Sequence, residues 1–133
     1  MLNSSGKLRV RAYTAGGALP VEGAIVRITG AEEDNRFSIF STVTDRDGIT
    51  ESITLPAPDT DYSLIPNPAE SPYSVYDVEI SAPGYFTKTV RGLTVFPGIS
   101  SLQLISMIPG SGKITEDYPK GSINYIIPDS SDQ

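Results

Sequence analysis

Pro72-Tyr73-Ser74-Val75-Tyr76-Asp77-Val78-Glu79-Ile80-Ser81-Ala82-Pro83-Gly84-Tyr85 is the stretch whose reading decides the fold. Tyr76, Val78, Ile80 and Ala82 alternate with Asp77, Glu79 and Ser81, so an extended chain here has one apolar and one polar face, as a half-buried strand requires. Pro83-Gly84 ends it, because proline fixes φ and lacks a ladder donor while glycine admits positive φ. The chain turns there and returns as Tyr85 to Val90. We read this strand as the centre of a β-sandwich.

Working outward, the same period of two recurs. Leu8, Val10 and Ala12 face inward and Lys7, Arg9 and Arg11 outward in a first strand; Ala24, Val26 and Ile28 face inward in a second, opened by Pro20. After the acidic loop Glu32-Glu33-Asp34, a third strand is expected through Phe37, Ile39 and Val43, with Phe40 on the opposite face leaving its register open and both faces open to partial cover. A hairpin turn at Thr44-Asp45-Arg46-Asp47-Gly48 then leads to a fourth strand through Ile49, Glu51, Ile53 and Leu55. Pro56 to Pro72 holds five prolines and reads as a long loop. Gly92 to Phe96, the turn Pro97-Gly98 and a last strand Leu102 to Ile108 follow. Short strands separated by turn signals, with no helical periodicity, predict an all-β fold: a seven- to eight-stranded antiparallel Greek-key sandwich. Its expected core is Leu8, Val10, Val26, Ile28, Ile53, Tyr76, Val78, Ile80, Val95 and Leu104. The domain is expected over 1–109, with 110–133 a linker and tail carrying an extra strand at 121–127.

Composition narrows the function. The 133 residues contain no cysteine and no histidine, which removes thiolate chemistry and the commonest proton-transfer residue and transition-metal ligand. A net charge of −6 argues against nucleic acid as a partner. Met1 to Lys7 lacks an apolar run behind basic residues, and no later run reaches the ~18 apolar residues of a membrane helix, so neither a signal peptide nor a membrane span is expected.

Few constellations could carry chemistry. Asp45, Asp47 and Gly48 look like part of a calcium loop but lack its remaining ligands, and a turn is the favoured reading. Glu32, Glu33 and Asp34 read as a solvated loop. Asp77 and Glu79, ~7 Å apart on one strand face, could flank a glycosidic bond, although an outward polar face is the simpler reading. Gly110-Ser111-Gly112-Lys113 has the wrong spacing for a phosphate loop. Among the aromatics, Tyr76 belongs to the core, and Tyr62 and Tyr73 remain as surface candidates for glycans or peptides. Gly121 to Ile127 has high β-propensity, so Ile123, Tyr125 and Ile127 are expected in an interaction strand that docks on its own domain or on a second copy. No cofactor and no metal site is expected.

Pro20-Val21-Glu22-Gly23-Ala24-Ile25-Val26, Thr44-Asp45-x-x-Gly48 and Gly84-Tyr85 resemble the transthyretin-like domains grouped with the carboxypeptidase regulatory domain. More narrowly, Leu55-Pro56-Ala57-Pro58, Pro72-Tyr73-x-x-Tyr76-Asp77-Val78, Val95-Phe96-x-Gly98, Leu102-Gln103 and Met107-Ile108-Pro109 are similar to the N-terminal domain of clostridial spore cortex-lytic enzymes and related Firmicutes proteins. The resemblance covers residues 6–109. It implies a seven-stranded sandwich without catalytic residues that accompanies peptidoglycan-acting or peptidoglycan-binding modules. Tyr76 to Tyr85 is also similar to an element of B-type repeats in Gram-positive adhesins, in which a lysine and an asparagine form an isopeptide. The last strand here has no asparagine, and no such bond is expected. Two readings follow. One is a non-catalytic structural or interaction module of a Gram-positive bacterium, spore- or envelope-associated, with a protein or cell-wall partner. The other is a small carbohydrate-active hydrolase or glycan-binding module using Asp77 and Glu79.

Overall fold

A computed structural model describes residues 4–33, 35–58, 73–117 and 125–126. Within them the chain is all-β, built as two sheets, with a single 3₁₀ turn at Ala15–Gly17. The strands are β1 (Ser4–Thr14), β2 (Leu19–Pro20), β3 (Ile25–Gly30), β4 (Ile39–Val43), β5 (Ile53–Ala57), β6 (Ser74–Ser81), β7 (Thr87–Val95), β8 (Ser100–Ser106), β9 (Lys113–Asp117) and β10 (Tyr125–Ile126). The first sheet runs β10-β8-β1-β2, with β5 also paired to β1; the second runs β4-β3-β6-β7-β9. Strand β6 thus occupies the middle of its sheet, as its strict alternation implies: Tyr76, Val78 and Ile80 are fully buried.

The core lies between the sheets. Leu8, Val10, Ala12, Leu55, Ala57 and Ile105 enter from the first sheet, and Val26, Ile28, Tyr76, Val78, Ile80, Val90, Leu93 and Val95 from the second. Ile53 packs against this cluster from a half-buried position. Buried polar groups are tied into the backbone. The Thr44 hydroxyl donates to the Val21 carbonyl at 2.7 Å and accepts from the Ala24 N–H at 2.8 Å; the Thr50 hydroxyl accepts from the Val10 N–H at 3.0 Å.

Four expectations need correction. Leu104 is 41% exposed and outside the core. Strand β8 pairs in parallel with β1, with Leu8 beside Ser101, Val10 beside Gln103 and Ala12 beside Ile105, so the inward residues of β8 are Ser101, Gln103 and Ile105. Phe37 lies outside the third strand, which begins at Ile39; Phe40 packs on the core while Phe37, Ile39 and Val43 are exposed, which decides the facing that the sequence left open. The turn at Thr44–Gly48 is not a hairpin: β4 belongs to the second sheet and β5 to the first, so the turn carries the chain across the sandwich. The sandwich is also mixed instead of purely antiparallel, because β1 with β8 and β7 with β9 are parallel pairs.

Gly92 explains a bulge in the central pair. Tyr76 faces Leu93 and Val78 faces Val90, so Arg91 and Gly92 together oppose Asp77. Gly92 adopts φ 84°, and its N–H is received by Asp77 Oδ1 at 3.1 Å. Beyond Pro109, Gly110 lies against the Phe86 ring, where an added Cβ would come within 2.3 Å of Cε2. The chain then enters β9.

The free edge of β8 is blunted position by position. Its even-numbered residues point their backbone groups away from β1. Tyr125 of β10 stands opposite Leu102; the Gln103 amide donates to the Leu104 carbonyl at 3.2 Å; and Lys88 Nζ, 3.3 Å from Glu116 of β9, donates to the Ser106 carbonyl at 3.0 Å. Lys88 belongs to β7, inside the second sheet, and its ammonium occupies a carbonyl that the β8 edge would otherwise present to an added strand. Lys88 is 6% exposed and links the two sheets at this end.

Candidate functional site

The carboxylates singled out from sequence do structural work. Asp77 and Glu79 lie on the outer face of β6. Asp77 holds the Gly92 bulge, and Glu79 stands between Arg27 of β3 and Thr89 of β7 in the ladders. Asp45 Oδ1 accepts from the N–H groups of Asp47 at 2.8 Å and Ile49 at 3.1 Å, the local bonding of an Asx turn. Glu32 accepts from the Val75 N–H at 3.0 Å; Asn35 clamps the same loop by accepting from the Glu32 N–H and donating to the Val75 carbonyl. Glu33 pairs with Arg36 at 3.6 Å, and Asp34 lies outside the described residues. Among the described residues no three acidic side chains gather in a way that could hold a metal ion.

The aromatic candidates divide. The Tyr73 ring meets the Phe96 ring edge-on at a centroid distance of 5.4 Å, a half-buried pair where β7 passes into β8. The Tyr76 hydroxyl donates to the Pro56 carbonyl at 2.7 Å from within the core. Tyr125 and Ile126 add antiparallel to the start of β8, so Tyr73 and Tyr125 come to the same end of the sandwich, one on each sheet. Tyr62, Ile123 and Ile127 lie outside the described residues.

A different group emerges on the outer face of the first sheet. Lys7, Arg9 and Arg11 occupy alternate positions of β1, spaced ~7 Å apart along the strand. Beside them on β8 stand Leu102, opposite Arg9, and Leu104, opposite Arg11. The Nε atoms of Arg9 and Arg11 are both buried and without a hydrogen-bond partner. The ion pairs of the described residues involve other cations: Arg36 with Glu33, Lys88 with Glu116 and Arg91 with Asp117. The last is close, with Arg91 Nε donating to Asp117 Oδ1 at 2.7 Å; that hydrogen bond holds the Asp117 carboxyl below its ordinary value and raises Arg91. In a chain of net charge −6, three consecutive outward cations without an ion pair among the described residues form a concentrated positive line on the first sheet. The alternation of β1 makes the line visible in the sequence. Its lack of partners is a tertiary fact.

No protein-family model matches the chain, and no curated protein does. Among solved structures it is similar to the Bacillus anthracis TIE protein, with a TM-score of 0.53 and 16% identity over 80% of this chain and 17% of that one. It is also similar to hydroxyquinol 1,2-dioxygenase from Pseudomonas putida DLL-E4, with a TM-score of 0.55 and 15% identity over 80% of this chain and 57% of the enzyme. At such identities the likeness is one of fold alone. The chain spans less than two thirds of either protein.

Proposed function

We propose that this chain is a non-catalytic interaction module of a Gram-positive bacterium, a transthyretin-like Greek-key sandwich associated with the spore or cell envelope. Its partner is anionic, an acidic protein or a cell-wall component, and is received on the outer face of the first sheet. The observation that carries this reading is the pair of buried, unpartnered Nε atoms of Arg9 and Arg11. A buried guanidinium N–H without an acceptor is costly, and a carboxylate or phosphate oxygen is the acceptor whose geometry matches it. Leu102 and Leu104 supply apolar area beside the charges. The envelope assignment rests on the resemblance of residues 6–109 to the cortex-lytic N-terminal domain. The hydrolase reading of Asp77 and Glu79 is weaker, because Asp77 is already engaged by the backbone of the Gly92 bulge.

The test compares wild type with the Arg9→Gln/Arg11→Gln double variant for sedimentation with purified sacculi and spore cortex, and for binding to a synthetic acidic peptide, across a salt series. Wild type should bind at least one of these, more weakly as salt rises. The double variant should lose at least tenfold in affinity at an unchanged melting temperature. Equal binding by both proteins, or none by wild type at low salt, overturns the proposal.

A further inference from the structure

Strand β4 is the edge of the second sheet, and unlike the other sheet margins it carries no guard. Strand β9, at the opposite edge, includes Lys113, Glu116 and Asp117; β5 contains Pro56; β2 is two residues long and contains Pro20; β8 is capped by β10, Gln103 and Lys88. Charges, prolines and short length are the usual means of stopping strand addition. Strand β4 reads Ile39-Phe40-Ser41-Thr42-Val43, without charge, proline or glycine.

Among the described residues no strand pairs with its outer side. Gly30 N–H donates to the Ser38 carbonyl and Thr44 N–H to the Ala24 carbonyl, so the even-numbered residues of β4 face β3. The N–H and C=O groups of Ile39, Ser41 and Val43 therefore point out of the sheet. The side chains at those positions are exposed: Ile39 is 54% and Val43 53% accessible, next to Ile25 at 57% and Phe37 at 84%.

We propose that β4 pairs antiparallel with β4 of a second copy, about a two-fold axis through Ser41, joining two five-stranded sheets into one of ten strands. The sequence is self-complementary in this register. Ile39 of each copy meets Val43 of the other, Ser41 meets Ser41, and the outward-pointing groups form six backbone hydrogen bonds. A parallel arrangement would set the acidic Glu32-Glu33 loops of the two copies together, whereas the antiparallel one keeps them at opposite ends of the joined strands. The surface is on the second sheet, apart from the cationic line and β10 on the first.

Sedimentation over a wide concentration range should show a monomer–dimer equilibrium. Because two copies of net charge −6 repel, association should strengthen as salt rises, opposite to binding of an anionic partner at Arg9 and Arg11. Ser41→Glu places a carboxylate opposite Arg27 within its own sheet, which suits the monomer, but sets two carboxylates face to face in the dimer. The dissociation constant should rise at least tenfold. Ser41→Cys introduces the only thiol into a cysteine-free chain, and hydrogen-bonded antiparallel partners stand ~5.5 Å apart at Cα, within disulfide range. Mild oxidation should trap a covalent dimer, whereas Thr115→Cys on exposed β9 should not. A protein that stays monomeric throughout, a dimer unchanged by Ser41→Glu, or equal crosslinking from both positions overturns the proposal.

Discussion

Ile105 and Leu104 are neighbours on β8, and truncating each to alanine should separate them sharply. Ile105 is 1% exposed and lies on the core face beside Ala12; Leu104 is 41% exposed and lies on the outer face beside Arg11. Ile105→Ala removes three carbon atoms from a sealed site. At ~0.8 kcal/mol per buried methylene the transfer loss alone is ~2.4 kcal/mol. The cavity left behind brings the expected cost to about 3–4 kcal/mol, within the range of such core truncations. Leu104→Ala gives up surface already partly wetted and leaves no closed cavity, so it should cost less than ~1 kcal/mol. Urea unfolding followed by circular dichroism reads the difference. With a slope of ~2 kcal/mol/M, the midpoint should fall by about 1.5–2 M for Ile105→Ala and by less than ~0.5 M for Leu104→Ala. The slopes should match wild type, which keeps the comparison one of stability. Equal losses from the two variants, or a larger one from Leu104→Ala, would refute the facing of β8 and with it the parallel register against β1.

Gly48 has φ +78° with its missing Cβ 2.4 Å from the Ala12 carbonyl, while Gly84 has φ +86° with nothing nearby. Gly48→Ala should therefore lose more than ~2 kcal/mol and Gly84→Ala only the ~1–2 kcal/mol of the backbone conformation, a contrast measurable by the same melts. Asp117 should titrate below its ordinary 3.8 and move back up in Arg91→Gln, followed by carboxyl carbon chemical shifts. Because the folded value is the depressed one, the pair stabilises above the unfolded pKa and its contribution is lost as pH falls through the folded value, so its effect belongs to the region below about pH 4. Millimolar calcium should leave the melting temperature within ~1 °C, because Asp45 already serves the Asp47 and Ile49 N–H groups; a rise of several degrees, abolished in Asp45→Asn, would show a site after all.

Strand β6 was legible because its alternation is unbroken and its end is marked by Pro83-Gly84. Strand β8 was not: Leu102, Leu104, Ile105 and Met107 offer apolar residues to both faces, and the inward positions include Ser101 and Gln103. Only the pairing with β1 decides between them. Strand β4 stayed open for a related reason, since Phe40 competes with Ile39 and Val43, and the face that wins is the one β3 presents to the core. The transfer from one sheet to the other at Thr44–Gly48 depends on β5 finding β1, which no local pattern encodes. Lys7, Arg9 and Arg11 were correctly placed outward from sequence. What distinguishes them, the burial of the Arg9 and Arg11 Nε atoms without a hydrogen-bond partner, becomes visible only when both strands of the face are assembled.

The position of β1 sets an order on the assembly of this sandwich. Its longest ladder is with β8, where Lys7 meets Ser100 and Tyr13 meets Ser106, so β1 awaits a strand made about ninety residues later. The β6–β7 ladder, closed by the tight Pro83-Gly84 turn, has no such wait. Closing so long a loop is entropically costly and places the chain among slow folders of high contact order. Until β8 emerges, Leu8, Val10 and Ala12 have only part of their sheet, and one side of an apolar strand stays unpaired.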